Sequence, residues 1–375
     1  MKIGILTLQL IKNYGGILQA FALQTVLKNM GHETVLIKEP RIYKLPFWKL
    51  PFSYTKRILN KYILRKKNAI DVFSEQRNEK QLLIECQNIQ PFIDKNIQMQ
   101  DLAYVKKNKK KFNVIIVGSD QIWRPKYHKN ITNAYLFFAQ NWKIKRIAYA
   151  ASFGTDIWEY SGEQTKNCKS LVKKFDAISV REDSALELCR KYLDVEAIHV
   201  LDPTMLLTKE HYINLTKQDN IPKRENILFS YILDISEEKN ALIQKVVKEF
   251  GLFPVAGIPS NSLKKSKQDI SDCIFYSVTE WIAGFRDAKF VITDSFHGTV
   301  FSILFNKPFV VFTNERRGNT RFNSLLKMFN LENRLITTAV DFKPFLLTLD
   351  YLDINRKIER ERKKSIDFLL NALKS

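Results

Sequence analysis

The chain has 375 residues, 45% hydrophobic and 12% aromatic, more than one small core requires. Its formal net charge is +21, from 60 Lys and Arg against 39 Asp and Glu. No apolar run reaches the ~18 residues that cross a bilayer, and four scattered cysteines form no CxxC pair, which argues against a membrane span, a zinc motif and a dithiol redox motif.

The N-terminus enters a strand at once: the apolar run "KIGILTL" (2–8) predicts a buried parallel strand. No basic leader or small-residue cleavage site precedes it, so neither a signal nor a transit peptide is expected. With reduced thiols, the expected location is the cytoplasm. Residues 15–30 predict a helix with Ala20, Leu23, Leu27 and Met30 on one face and Gly31 as its stop. "ETVLI" (33–37) is the next strand.

The alternation then breaks. Residues 40–111 carry Pro40, Pro46 and Pro51, then helical windows, and read as a basic helical insertion. Between Arg41 and Lys111 stand 17 Lys or Arg against 6 Asp or Glu. Such a field attracts anionic lipid, nucleic acid or an anionic substrate. It is equally what a solvated face of a Lys-rich chain presents. No helix-turn-helix, finger or RNP-like pattern accompanies the charge, so nucleic acid is the weakest of these partners.

Strands and helices alternate again from "FNVIIVGSD" (112–120), through "RIAYAASF" (146–153), a helix near 163–174, "AISV" (177–180), a helix near 183–192 and "EAIHV" (196–200). A second series starts near 225: "NILFSYIL", a helix at 236–249, "LFPVAG", a helix at 278–287, "FVITDS", a helix from about 297 and "PFVVF", with a final helix at 355–375. Each series predicts a parallel sheet covered on both faces, hence two Rossmann-like α/β domains. The expected division is 1–210, 220–350 and a C-terminal helix over 351–375. Ligands of open α/β sheets bind at the carboxyl ends of strands, so the strand exits are the places to search.

Four exits carry polar residues. After the first strand, Asn13 and Tyr14 precede Gly15 and Gly16 at a helix start. Backbone N–H groups there suit an anion or a sugar, although a capped tight turn accounts for the pattern equally well. The stretch is neither GxGxxG nor a P-loop. "VIIVGSDQIWRP" (114–125) ends a strand in Ser119, Asp120 and Gln121 with Trp123 behind. Carboxylate, amide and indole suit a sugar; a helix cap with a core Trp is the plain alternative. "AISVREDSALELC" (177–189) puts Arg181 at a sheet edge, where a forked donor suits phosphate or carboxylate. Asp183 or Ser184 caps the next helix. Last, "TDSFHGTVFSILFNKPF" places Ser295 as a helix cap, Gly298 where a backbone can approach closely, and His297 at the positive helix end. Arg316, Arg317 and Arg321 follow.

Taken together, "NYGGILQAFALQ", "VGSDQIW", "YAASFG", "SVRED", "LDPTMLL" and "TDSFHGTVFSILFNKPF", in this order, resemble the polysaccharide pyruvyl transferase family over roughly 1–340. The resemblance implies a GT-B-like pair of domains facing across a cleft. It also implies transfer of the enolpyruvyl group of phosphoenolpyruvate to a sugar, closing a pyruvate ketal and releasing phosphate. The sugar would belong to a surface polysaccharide or its lipid-linked precursor. By motif, the family's donor-binding Arg and His fall on Arg181 and His297. Many relatives carry Arg two places before that His; here the residue is Ser295, and Arg321 is placed to supply the missing charge.

Phosphoenolpyruvate carries two anionic groups, so Arg181, Arg321, Ser295 and the N–H groups near Gly298 are its expected ligands. His297 is the expected acid for protonating the enol carbon, held charged by bound phosphate, and Asp120 the expected base. Asn13, Tyr14, Gly15, Ser119, Gln121 and Trp123 are the expected acceptor side. The donor is a substrate, and no metal or other cofactor is called for. The basic 41–111 region would face the membrane from the cytoplasmic side. Two other readings stand beside this one: a GT-B glycosyltransferase using a nucleotide sugar, and a non-catalytic carbohydrate- or membrane-binding module.

Overall fold

The alternation of strand and helix resolves, in the computed structural model, into two all-parallel sheets. The structure describes residues 1–40, 50–64, 72–128, 130–259, 270–314, 318–343, 346 and 348–374. The first sheet contains β1 (Lys2–Leu6), β2 (Glu33–Lys38), β3 (Met99–Asp101), β4 (Val114–Val117), β5 (Lys145–Ala151), β6 (Ala177–Val180) and β7 (Ile198–His199), in spatial order β3-β2-β1-β4-β5-β6-β7. The second contains β8 (Ile227–Tyr231), β9 (Phe253–Ala256), β10 (Ala288–Thr293), β11 (Phe309–Phe312) and β12 (Leu335–Ile336), in order β12-β11-β10-β8-β9. Central strands such as "VIIV" and "FVVF" are buried at every position, as a sheet covered on both faces requires. Each order reverses once, between β1 and β4 and between β10 and β8, and open parallel sheets bind ligands at such reversals. This is the GT-B-like, two-sheet arrangement expected.

The helix Tyr14–Asn29 departs from the one-faced pattern. Residues 14–20 are all buried, as are Ala22, Leu23, Gln24, Val26 and Leu27. A helix that is apolar nearly all round is a buried helix. This one is enclosed in a core shared by both sheets, with Ile3 and Val114 of the first and Phe229 and Val291 of the second. Tyr14 makes the link directly. Its ring stacks on Trp281 at 5.3 Å, and its hydroxyl donates to the Tyr276 carbonyl at 2.8 Å.

The insertion expected over 40–111 is shorter than the sequence suggested. Beyond residue 88 the chain rejoins the first domain: Ile89, Phe92, Ile93 and Ile97 are buried in its core. β3 pairs in parallel with β2, Leu36 opposite Met99. Three residues reading "MQD" carry no periodic signal, so a strand this short is invisible until its partner is known. Pro46 lies outside the described residues.

The helices Lys209–Gln218 and Thr320–Phe329 were not anticipated, and the helix expected at 183–192 is Ser184–Leu188 followed by a π-turn at Cys189–Leu193. The last helix, Leu352–Lys374, returns to the first sheet. Its Arg362 donates to the Met205 carbonyl at 2.8 Å, its Ser365 hydroxyl accepts from Leu201 N–H at 3.0 Å, and Phe368 packs against Tyr149.

Candidate functional site

The loops at both strand-order reversals border one cavity of about 320 Å³. Lys12 and Asn13 come from the loop after β1, and Asp120, Gln121 and Tyr127 from the loop after β4. Tyr231, Leu233, Asp294, Ser295, Phe296 and His297 come from the carboxyl ends of β8 and β10, and Arg321 from the helix Thr320–Phe329. Two separate sheets thus supply one site.

Asn13 joins the first two corners. Its side-chain oxygen accepts from Gly16 N–H at 3.0 Å as the helix cap, while its nitrogen donates to Asp120 Oδ2 at 3.0 Å. Gln121 borders the cavity and accepts from Arg124 at 3.0 Å. Three residues expected on the acceptor side face elsewhere. Trp123 is fully enclosed, stacked on Tyr135 at 4.9 Å, with its indole N–H donating to the Ala134 carbonyl. Its apolar face is spent on the core and leaves none for a sugar. Tyr14 is the buried inter-sheet wedge described above; burial pushes its phenol far above the ordinary value. Ser119 is enclosed too, donating to the Ala150 carbonyl at 2.7 Å.

Gly15 has a different use. A Cβ there would lie 2.0 Å from His297 Nδ1, so only glycine lets the helix start and the imidazole share this space. Gly298 is the reverse case. The room it opens is filled by Thr293 Oγ1, 2.1 Å from where a Cβ would stand, and its N–H points to Ser295 Oγ at 3.4 Å. The Gly298 N–H expected to meet phosphate is therefore taken up within the protein, while Ser295 itself borders the cavity.

The charged centre is a buried cluster. Arg181 donates to Asp202 Oδ2 at 2.9 Å, lies 3.4 Å from Asp120 Oδ1 and stacks on the Phe296 ring at 4.3 Å. Its side chain is 1% exposed, so it is an internal strut between two carboxylates and does not border the cavity. Burial opposes its charge, but Asp202, Asp120 and Glu182 outweigh burial and raise its pKa. Burial alone would raise the Asp120 carboxyl; Arg181, His297 and Arg321 together pull it below the usual carboxylate range. That is the wrong direction for a general base, which needs a high proton affinity. Asp120 acts as a fixed anion that anchors Asn13 and Arg181.

Asp202 is the residue the motif reading passed over, although "LDPTMLL" contained it. Fully enclosed, it accepts from Thr204 N–H at 3.0 Å and Thr204 Oγ1 at 2.7 Å, and stands 3.5 Å from His297 Nε2. Burial would raise it, yet His297 and Arg181 carry it well below the usual range. The signal was present: an acidic residue at a strand exit, followed by Pro at the first position of a helical turn.

Arg321 borders the cavity, its guanidinium 5.7 Å from the Phe296 ring. Burial and the nearby Arg181 guanidinium push it down to about 10. Ser295 caps the helix Phe296–Leu304, which presents His297 in its first turn. Asp294, left without a role by the sequence, clamps the loop after β8. It accepts from Leu233 N–H at 2.6 Å, Asp234 N–H at 3.0 Å and Lys239 Nζ at 2.7 Å. Arg316 and Arg317 lie outside the described residues.

Two parallel sheets that together border one cavity at their strand ends make a GT-B-like α/β fold. The chain belongs to the polysaccharide pyruvyl transferase family, whose sequence profile matches residues 13–316. No curated protein matches the chain. Among solved structures, it is similar to the UDP-GlcNAc 2-epimerase of Neisseria meningitidis bound to UDP-GlcNAc (11% identity, 99% of this chain and 100% of that one, TM-score 0.48). It is also similar to a glycosyltransferase from Rickettsia africae (10% identity, 99% and 93%, TM-score 0.49).

Proposed function

We propose that the protein transfers the enolpyruvyl group of phosphoenolpyruvate to a sugar diol of a surface polysaccharide or its lipid-linked precursor, closing a pyruvate ketal and releasing phosphate. The observation that carries this reading is Arg321 beside His297 at one cavity wall. Arg321 is a buried guanidinium that borders the cavity, a forked donor suited to phosphate or carboxylate. Lys12 also borders the cavity, with its charge already paired to buried Glu85.

In this reading His297 gives a proton to the methylene carbon of the donor, making the methyl group and an oxocarbenium-like centre at C2. One sugar hydroxyl adds to C2, and its proton restores the imidazole. The second hydroxyl displaces phosphate, which carries away the second proton. Asp202, 3.5 Å from Nε2, offsets the ring's charge when it is doubly protonated. Arg181 orients Asp202 and Asp120 and does not itself touch the donor. The acceptor lies toward Asn13, Gln121 and Tyr127, on the first-sheet side.

Thermal unfolding with phosphoenolpyruvate, run beside UDP and GDP, tests the donor. At about 100 times its dissociation constant a ligand adds about 2.7 kcal/mol of stability. A shift with phosphoenolpyruvate that disappears in Arg321→Met supports the proposal. A shift with a nucleotide alone overturns it in favour of a nucleotide-sugar glycosyltransferase.

A further inference from the structure

Exposed apolar side chains are unevenly spread over this molecule. Of the twenty large hydrophobic residues exposed among the described residues, nine lie between Phe52 and Ile84, less than a tenth of the chain. Phe52 is 81% exposed, Ile63 68% and Tyr62 63%. The helix Leu50–Ile58 and the π-turn Leu59–Ile63 that continues it bury no side chain among those described. They are tied to the next helix by a Tyr54–Phe73 ring contact and by Arg57 donating to the Val72 carbonyl. A helix that exposes phenylalanine, tyrosine and isoleucine to water gains nothing from doing so, so this face has an occupant.

Charge selects the occupant. The helical stretch 50–63 carries Lys56, Arg57 and Lys61 and no acidic residue. Across Arg41 to Lys67 the sequence has nine Lys or Arg and no Asp or Glu. Cations mixed with exposed aromatic and aliphatic residues on one helix suit the boundary layer of an anionic bilayer. A protein partner that bound through an apolar patch alone would need no such one-sided charge.

The position is also informative. The helix Ser74–Glu85, about 18 Å long by its rise, runs from exposed Phe73 to the cavity edge. At that end buried Glu85 pairs with Lys12, a residue of the cavity wall. Leu83 and Ile84 are exposed one turn or less away. An apolar groove of about 240 Å³, formed by Leu10, Ile11, Leu82, Leu83, Ile89 and Ile93, adjoins the same loop that carries Lys12 and Asn13. Exposed apolar side chains thus stand at both ends of this helix, Phe73 at one and Leu83 and Ile84 at the other, near the mouth of the functional site.

We infer that residues 50–64, with Phe73, Leu83 and Ile84, form a peripheral docking surface for an anionic lipid bilayer, and that this surface presents the cavity to acceptors carried at the membrane. The docking itself does not depend on the donor chemistry. The test is co-sedimentation of the full chain with vesicles of phosphatidylcholine mixed with phosphatidylglycerol, beside vesicles of phosphatidylcholine alone. The protein should sediment with the anionic vesicles, less so as salt rises. Lys56→Gln/Lys61→Gln should weaken retention about fivefold for each cation removed. Tyr62→Ser/Ile63→Ser should abolish the retention that survives high salt. Both variants should melt with the wild type, because the altered side chains are not buried. Equal retention on the two vesicle types, or variants that bind as well as the wild type, overturns the inference. A lipid-free dimer in sedimentation equilibrium, broken by Tyr62→Ser/Ile63→Ser, also overturns it, since the face would then join two copies. No donor is present in these measurements, so their failure leaves the phosphoenolpyruvate reading standing.

Discussion

Asp202→Asn keeps the shape of the buried cluster and removes one charge. The asparagine oxygen can still accept from Thr204 N–H and Oγ1, at the 3.0 and 2.7 Å of the native bonds. Its NH₂ must then face Arg181 Nη1, 2.9 Å from the native oxygen, so two donors oppose each other. Breaking a buried ion pair on one side costs about 3–5 kcal/mol. Asp120, 3.4 Å from the same guanidinium, retains part of the compensation, which places the loss near the low end, about 3 kcal/mol. In urea this lowers the unfolding midpoint by about 1 M for a slope near 3 kcal/mol per M. The pH dependence carries the sign. Because Asp202 is held below its unfolded value, its contribution is present above about pH 3.9 and is lost as pH falls from there through the folded value. The gap between wild type and variant is therefore full at neutrality and narrows in acid. A variant within about 0.5 kcal/mol of wild type at neutral pH refutes the reasoning, as does a gap that stays constant through acid.

Gly15→Ala drives a methyl group into the His297 ring, so the imidazole must move. Stability should fall by about 1–3 kcal/mol, and turnover should fall more steeply than substrate affinity, measured by phosphate release under steady-state conditions. Arg321→Met removes the buried guanidinium at the cavity wall and should abolish the phosphoenolpyruvate-induced shift in thermal unfolding. Trp123→Phe forfeits the bond to the Ala134 carbonyl and some ring contact. It should cost about 1–2 kcal/mol in urea unfolding and leave the Michaelis constant for the acceptor sugar unchanged; a raised constant would return Trp123 to the sugar site.

By itself the sequence determined the two-sheet plan, because runs such as "VIIV" and "FVVF" alternating with helical windows admit little other than covered parallel sheets. It also located the functional corners, because ligands of such sheets meet strand exits and the exits carried Asn13, Asp120, Gln121 and His297. The helix cap at Ser295 was legible for the same local reason. What required tertiary structure was which neighbour each polar side chain meets. Trp123 beside Asp120 reads as a sugar platform until Tyr135 and Ala134 are seen to enclose it. Arg181 reads as a donor ligand until Asp202 and Asp120 close on either side of it. Asp202 and His297 are 95 residues apart in the chain and 3.5 Å apart in space, and Gly15 makes room for the ring from a third segment. Local pattern is set by backbone geometry and burial along a few residues. Partnership in a buried charge cluster depends on distances between segments, and those exist only after the two sheets have packed on their shared helix.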